Sequence, residues 1–138
     1  MRILTEDEVI DAVIGFLRGE GWEISSRATA KAKQRGYDIE ATRGTERLIV
    51  EAKGAGSSID GSPRHGHEFD RTQVFDHVAK AILKALRVVA GHSGRAAVAF
   101  PDNKNHREEV KQVHEALMTL GIIIFWVSVD GIVRVDGL

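Results

Sequence analysis

Gly36-Tyr37-Asp38-Ile39-Glu40-Ala41-Thr42-Arg43-Gly44-Thr45-Glu46-Arg47-Leu48-Ile49-Val50-Glu51-Ala52-Lys53 is the stretch on which the fold turns. Tyr37 to Thr42 and Arg47 to Lys53 have the composition of strands. Arg43-Gly44-Thr45-Glu46 joins them, with glycine at the first central position of a type II′ hairpin turn. Pairing Arg43 with Glu46 and counting outward sets Asp38 opposite Glu51. Residues opposed in this way have Cβ atoms about 4.5–5.5 Å apart, and like charges there repel, so a positive group is required. Glu51 and Lys53 are two apart on one strand and project to the same face, while Ala52 points to the other. Two carboxylates and an ammonium therefore converge. The apolar run Leu48-Ile49-Val50 reads as a strand covered on both faces. Charged residues at the end of such a strand need partners or a metal.

Working outward, Thr5-Glu6-Asp7-Glu8 forms a capping box ahead of Val9, Ile10, Val13, Ile14 and Leu17 at helical spacing, and this helix stops near Gly19-Glu20-Gly21. Trp22 to Ser25 alternates as a short strand. After the central hairpin, Gly54 to Phe69 is rich in Gly, Ser and His and reads as a mobile loop. Asp70, with Gln73 at the capping-box position, starts a second helix whose stripe is Val74, Val78, Ala81, Ile82, Ala85 and Val89, up to Gly91. Arg95 to Phe100 is a strand ended by Pro101. A third helix runs from Asn105 to Leu120 through Val110, Val113, Leu117 and Leu120. Ile122 to Val129 and Ile132 to Val135 flank Asp130-Gly131, a hairpin signal. The order is α-β-β-β-α-β followed by α-β-β, a mixed α/β domain over residues 1–138.

Composition narrows the chemistry. With 138 residues, 43% hydrophobic and 28% charged, the chain fits one globular domain rather than a disordered or fibrous one. No apolar run approaches the roughly 20 residues that cross a bilayer, and the N-terminus has no basic region followed by an apolar signal core, so no membrane is expected and the default location is cytoplasmic. The absence of cysteine excludes disulfides, thiol catalysis and thiolate metal sites, which leaves hard cations such as Mg²⁺. A net charge of −1 gives no global attraction to phosphate. The basic residues are nevertheless clustered: Arg27, Lys31, Lys33 and Arg35 precede the hairpin, and Arg64, His65, His67 and Arg71 follow it. Arg35, Arg64 and Arg71 are candidate substrate contacts, and solvated loop charge is the plainer alternative.

Converging carboxylates and an ammonium suit phosphodiester hydrolysis. The acids hold Mg²⁺, the metal stabilises charge on the phosphate, and the ammonium orients water or shields developing charge. The competing reading has Lys53 simply neutralise two surface acids. On Gly36-Tyr37-Asp38-Ile39, twelve intervening residues between the acids, and Glu51-Ala52-Lys53, the chain resembles the PD-(D/E)xK nuclease superfamily, the fold of many type II restriction endonucleases and of archaeal Holliday-junction resolvases. The resemblance spans Thr5 to about Phe100 and implies a restriction endonuclease-like αβββαβ core with a mixed central sheet flanked by helices, here extended by a C-terminal helix and β-hairpin. It implies that Asp38 and Glu51 ligate Mg²⁺, for which Mn²⁺ substitutes, that the Ala52 carbonyl joins them, and that Lys53 acts on the water. Cleavage would leave 5′-phosphate and 3′-hydroxyl ends. Tyr37 stands where proline often precedes the first acid.

Family members often add an acid from the first helix. Glu8 is preferred here, with Asp11, one turn on, as its rival; capping is the other use of Glu8. Some branches place glutamine at the start of the helix after the motif, with tyrosine four residues later; Gln73 fits, but His77 replaces the tyrosine. Lys80, Lys84 and Arg87 are candidate phosphate contacts that fit equally well as the solvated face of the second helix, the plainer reading, and His65-Gly66-His67 reads as a substrate grip rather than a metal site. The expected function is a Mg²⁺-dependent endodeoxyribonuclease acting on nucleic acid, with DNA the expected class. The alternatives are a catalytically inactive nucleic-acid-binding or protein-interaction module of the same fold and an accessory subunit. Cutting two strands calls for two sites, so a homodimer is expected, through the apolar Ile122 to Val135 hairpin.

Overall fold

The capping box at Thr5 forms: its hydroxyl accepts from the Glu8 amide at 3.2 Å, and the Glu8 carboxylate accepts from the Thr5 amide at 3.0 Å. It opens α1 (Glu6–Gly19), whose Val9, Ile10, Val13, Ile14 and Leu17 are all buried. The computed structural model describes residues 3–28, 36–56 and 68–137. After α1 come β1 (Glu23–Arg27), β2 (Ile39–Arg43), β3 (Glu46–Ala52), α2 (Arg71–Gly91), β4 (Arg95–Pro101), α3 (Lys104–Lys111), α4 (His114–Thr119), β5 (Ile123–Val127) and β6 (Val133–Asp136).

The six strands form one mixed sheet in chain order, β1-β2-β3-β4-β5-β6. β1, β2 and β3 are an antiparallel meander with a bulge between Ile24 and Ser26. β3, β4 and β5 run parallel, and β6 returns antiparallel. The turn between β2 and β3 has Gly44 at φ +62° and keeps Thr45 at negative φ, as type II′ requires. Helices cover both faces. Leu48, Val50, Ala52, Ala97, Ala99, Ile123 and Phe125 face α1, while Ile49, Ala96, Val98, Phe100, Ile124 and Trp126 face α2, α3 and α4. β3 is therefore the doubly covered strand implied by Leu48-Ile49-Val50, and the αβββαβ order with its C-terminal extension is present.

Several expectations change. The single third helix is two: Gln112 closes α3, and Val113, at φ −125°, leaves helical geometry before α4. The break turns Val113 and Leu120 out to solvent, so Val110 and Leu117 alone of the expected stripe are buried. On α2 the buried positions are Val74, Val78, Ala81, Ala85 and Val88, with Ile82 and Val89 only half-buried. The last hairpin is longer than two residues. The Gly131 amide donates to the Ser128 carbonyl at 2.9 Å, and Gly131 sits at φ +85°. That is a tight turn followed by a left-handed glycine, which slips the register by one residue so that Val127, not Ser128, opposes Val133. The apolar density of this hairpin goes into the core. Residues Ile122 to Val127 are buried, and Val129 and Ile132 are left exposed, so the expected dimer loses that patch as its support. Among the described residues no helix is long and apolar enough to cross a membrane. The expected mobile loop and the basic positions Lys31, Lys33, Arg35, Arg64, His65 and His67 fall largely or wholly outside the described residues.

Candidate active site and metal centre

The β2–β3 ladder runs from Arg43 opposite Glu46 to Ile39 opposite Val50, so the next pair outward is Asp38 and Glu51. Asp38 lies just before β2, and its carboxylate Oδ2 accepts the Ala52 amide at 2.8 Å, which pins the acid to the end of β3. Glu51 follows Ile49 by two residues and so faces the α2 layer. Both acids are almost completely buried, Asp38 at 2% exposure and Glu51 at 3%. Two carboxylates withdrawn from water at the end of one interior strand demand compensation.

Part of it comes from two lysines. Lys84, on α2, places Nζ 3.1 Å from Glu51 Oε2, and Lys53 Nζ is 4.0 Å from the same oxygen. These cations do not suffice. Burial, reinforced by the Asp38 charge, holds the Glu51 carboxyl above its ordinary value even against Lys84 and Lys53. Burial likewise pulls the Lys53 ammonium down, against the opposing pull of Glu51 and Asp38. Desolvation thus wins at both groups. Glu51 Oε1 is buried with no hydrogen-bond donor among the described residues. A buried carboxylate oxygen without a donor, beside a second buried carboxylate, is what a hard cation would complete. Among the described residues no cluster of three or more His, Cys, Asp or Glu could hold a metal. Two protein carboxylates match the habit of Mg²⁺, which keeps several waters and takes further oxygens from substrate phosphate.

Of the other candidates, Glu8 is engaged in the α1 capping box. Asp11 is exposed and pairs with Arg27. The α1 residue set against the motif is instead Glu6: a Cβ added to Gly54 would lie 2.4 Å from the Glu6 amide nitrogen, and the Glu6 side chain carries a buried Oε2. Gln73 caps α2, exchanging two 2.9 Å hydrogen bonds with Asp70. Arg71 is exposed and pairs with Glu108 at 3.1 Å. Arg35 and Arg64 lie outside the described residues. The structure thus brings Asp38, Glu51, Ala52 and Lys53 together and adds Lys84, which helical periodicity alone assigned to the solvated face. The available signal was its position beside the buried Ala81 and Ala85, on a helix that had to cover a strand carrying a buried acid.

No family model matches the chain, and no curated protein is similar to it. Among solved structures, SfsA of Pyrococcus furiosus, in complex with Ca²⁺, is similar over 96% of this chain and 59% of its own, at 15% identity and a TM-score of 0.43. The chain therefore spans about three fifths of the length of that protein.

Proposed function

We propose that the chain is a metal-dependent endonuclease that hydrolyses phosphodiester bonds of DNA, with Asp38 and Glu51 as the ligands of Mg²⁺ or Mn²⁺. The observation that carries this reading is Glu51 itself: a carboxylate 3% exposed, with Oε1 lacking a donor among the described residues, next to buried Asp38. A bound divalent cation would supply Lewis-acid stabilisation of charge on the phosphate. Asp38, fixed by the Ala52 amide, sets the position of the site relative to the strand. Lys53, whose ammonium lies at the acids, is suited to orient the attacking water and to shield developing negative charge. The near-complete burial of both acids keeps bulk water from competing.

A second reading, a non-catalytic binding or interaction module of the same fold, is favoured by the exposed apolar side chains Phe75, Leu83 and Leu86 of α2. Titration of Mn²⁺ and Mg²⁺ by calorimetry into wild type and Asp38→Asn, followed by assays on linear and branched DNA, separates the two. Metal binding and cleavage in wild type, both lost in the variant, support the nuclease. Metal binding without cleavage of any substrate favours the module, and absence of metal binding refutes the proposed centre. Cleavage of both strands of a duplex calls for a homodimer, which a monomer in concentrated sedimentation runs would refute.

A further inference from the structure

Of the two lysines paired with Glu51, Lys84 is the more exposed. Its side chain is 35% exposed where that of Glu51 is 4% exposed, and its Nζ approaches Glu51 Oε2 to 3.1 Å, nearer than the 4.0 Å of Lys53. Lys53 is held by the strand that carries Glu51. Lys84 reaches the same oxygen from α2, a separate element on a four-carbon stem with three rotatable donors. One lysine is built into the motif and the other is laid over it.

We infer that Lys84 is a metal-displaced latch: its ammonium pairs with Glu51 in the metal-free protein, gives way when a divalent cation occupies the acids, and then holds a phosphate oxygen of the substrate. This rests on the metal-centre reading above. The physical reason is competition for one buried carboxylate. Without a cation, Glu51 would be left with a distant ammonium and a neighbouring acid, and the pairing with Lys84 makes its burial tolerable. A divalent cation held by Asp38 and Glu51 would stand within a few ångströms of Lys84 Nζ and repel it, because both would compete for one nearly buried carboxylate. The displaced ammonium has its best partner in the anion that arrives with the reaction, a phosphodiester. Lys84 is thus a positioning residue with two successive partners, and substrate binding and metal binding are coupled through it.

The experiment is calorimetric titration of Mn²⁺ alone into the full chain, as wild type, Lys84→Met and Lys84→Arg, with melting curves of each with and without Mn²⁺. Removing the competing charge in Lys84→Met should tighten Mn²⁺ binding about fivefold or more. It should also lower the metal-free melting temperature and enlarge the rise that Mn²⁺ produces. Lys84→Arg, whose guanidinium can grip a carboxylate through two nitrogens, should weaken Mn²⁺ binding. With DNA present, Lys84→Met should raise KM more than it lowers kcat. Unchanged or weaker Mn²⁺ binding in Lys84→Met overturns the latch while wild-type binding leaves the metal centre standing. Should Lys84→Met not fold, Mn²⁺ binding to Lys84→Arg as tight as wild type overturns the latch equally. Absence of Mn²⁺ binding in wild type overturns both readings.

Discussion

Acidification from pH 6.5 to 4 should remove about 3 kcal/mol of stability through His106 alone. This histidine on α3 is fully buried, at 0% exposure. Its Nδ1 lies 2.8 Å from Asn103 Oδ1, while Nε2 has no partner among the described residues, so a second proton would enter a dry site with no acceptor. The ring packs against Phe100, 5.7 Å between centroids, and faces His77 of α2, whose own charging adds repulsion. Burial first, then His77, pushes the imidazole down from the ordinary 6.5 to about 4. Because the folded state binds the proton less readily than the unfolded state, the stabilisation is complete above pH 6.5, drains at about 1.4 kcal/mol per pH unit as pH falls, and is spent below pH 4. Urea unfolding of wild type and His106→Phe across this range isolates the effect, since carboxylate titration is common to both. The stability difference between them should move by about 3 kcal/mol in favour of the variant toward low pH. Parallel profiles, agreeing within about 0.5 kcal/mol, would refute the assignment of His106 as a neutral buried group.

Other substitutions test separate links. Lys53→Met should retain Mn²⁺ binding while cleavage falls by about two to four orders of magnitude; a joint loss of both would mean that Lys53 supports the acids rather than the water. Gly54→Ala would push a methyl carbon to 2.4 Å from the Glu6 amide nitrogen and 2.7 Å from the Thr5 carbonyl carbon. A destabilisation of about 1–3 kcal/mol in urea is expected, and a neutral result would separate α1 from the end of β3. Thr5→Ala removes the hydroxyl that closes the α1 capping box and should cost about 1 kcal/mol by thermal melting, with metal binding unaffected.

What was legible in the sequence was local. The register that sets Asp38 against Glu51 follows from one glycine in a two-residue turn, and both capping boxes follow from side chains three residues apart. What escaped depends on tertiary packing. Lys84 pairs with an acid 33 residues earlier in the chain, a relation to which helical periodicity is blind. His106 lies in the first turn of α3, where spacing gives no sign of burial, and its packing against Phe100 makes it core. The last hairpin misled because Asp130-Gly131 fits two turn families. Ser128, whose hydroxyl binds the Asp130 carboxylate, selects the longer one. Val113 carried the right spacing for a helix but sits where the chain breaks between α3 and α4.

The margins of the sheet have a bearing on self-association. A marginal strand offers unpaired amides and carbonyls that can recruit a strand from another molecule. Here β1 is bulged between Ile24 and Ser26 and carries Glu23, Ser25 and Arg27, while β6 is four residues long with Arg134 exposed. A kinked, charged border and a short one both frustrate growth of the sheet from copy to copy. The protein can therefore hold a strand as apolar as Ile123-Ile124-Phe125-Trp126-Val127 in its interior without presenting a template for fibrils, and neither edge of the sheet invites a second copy to extend it.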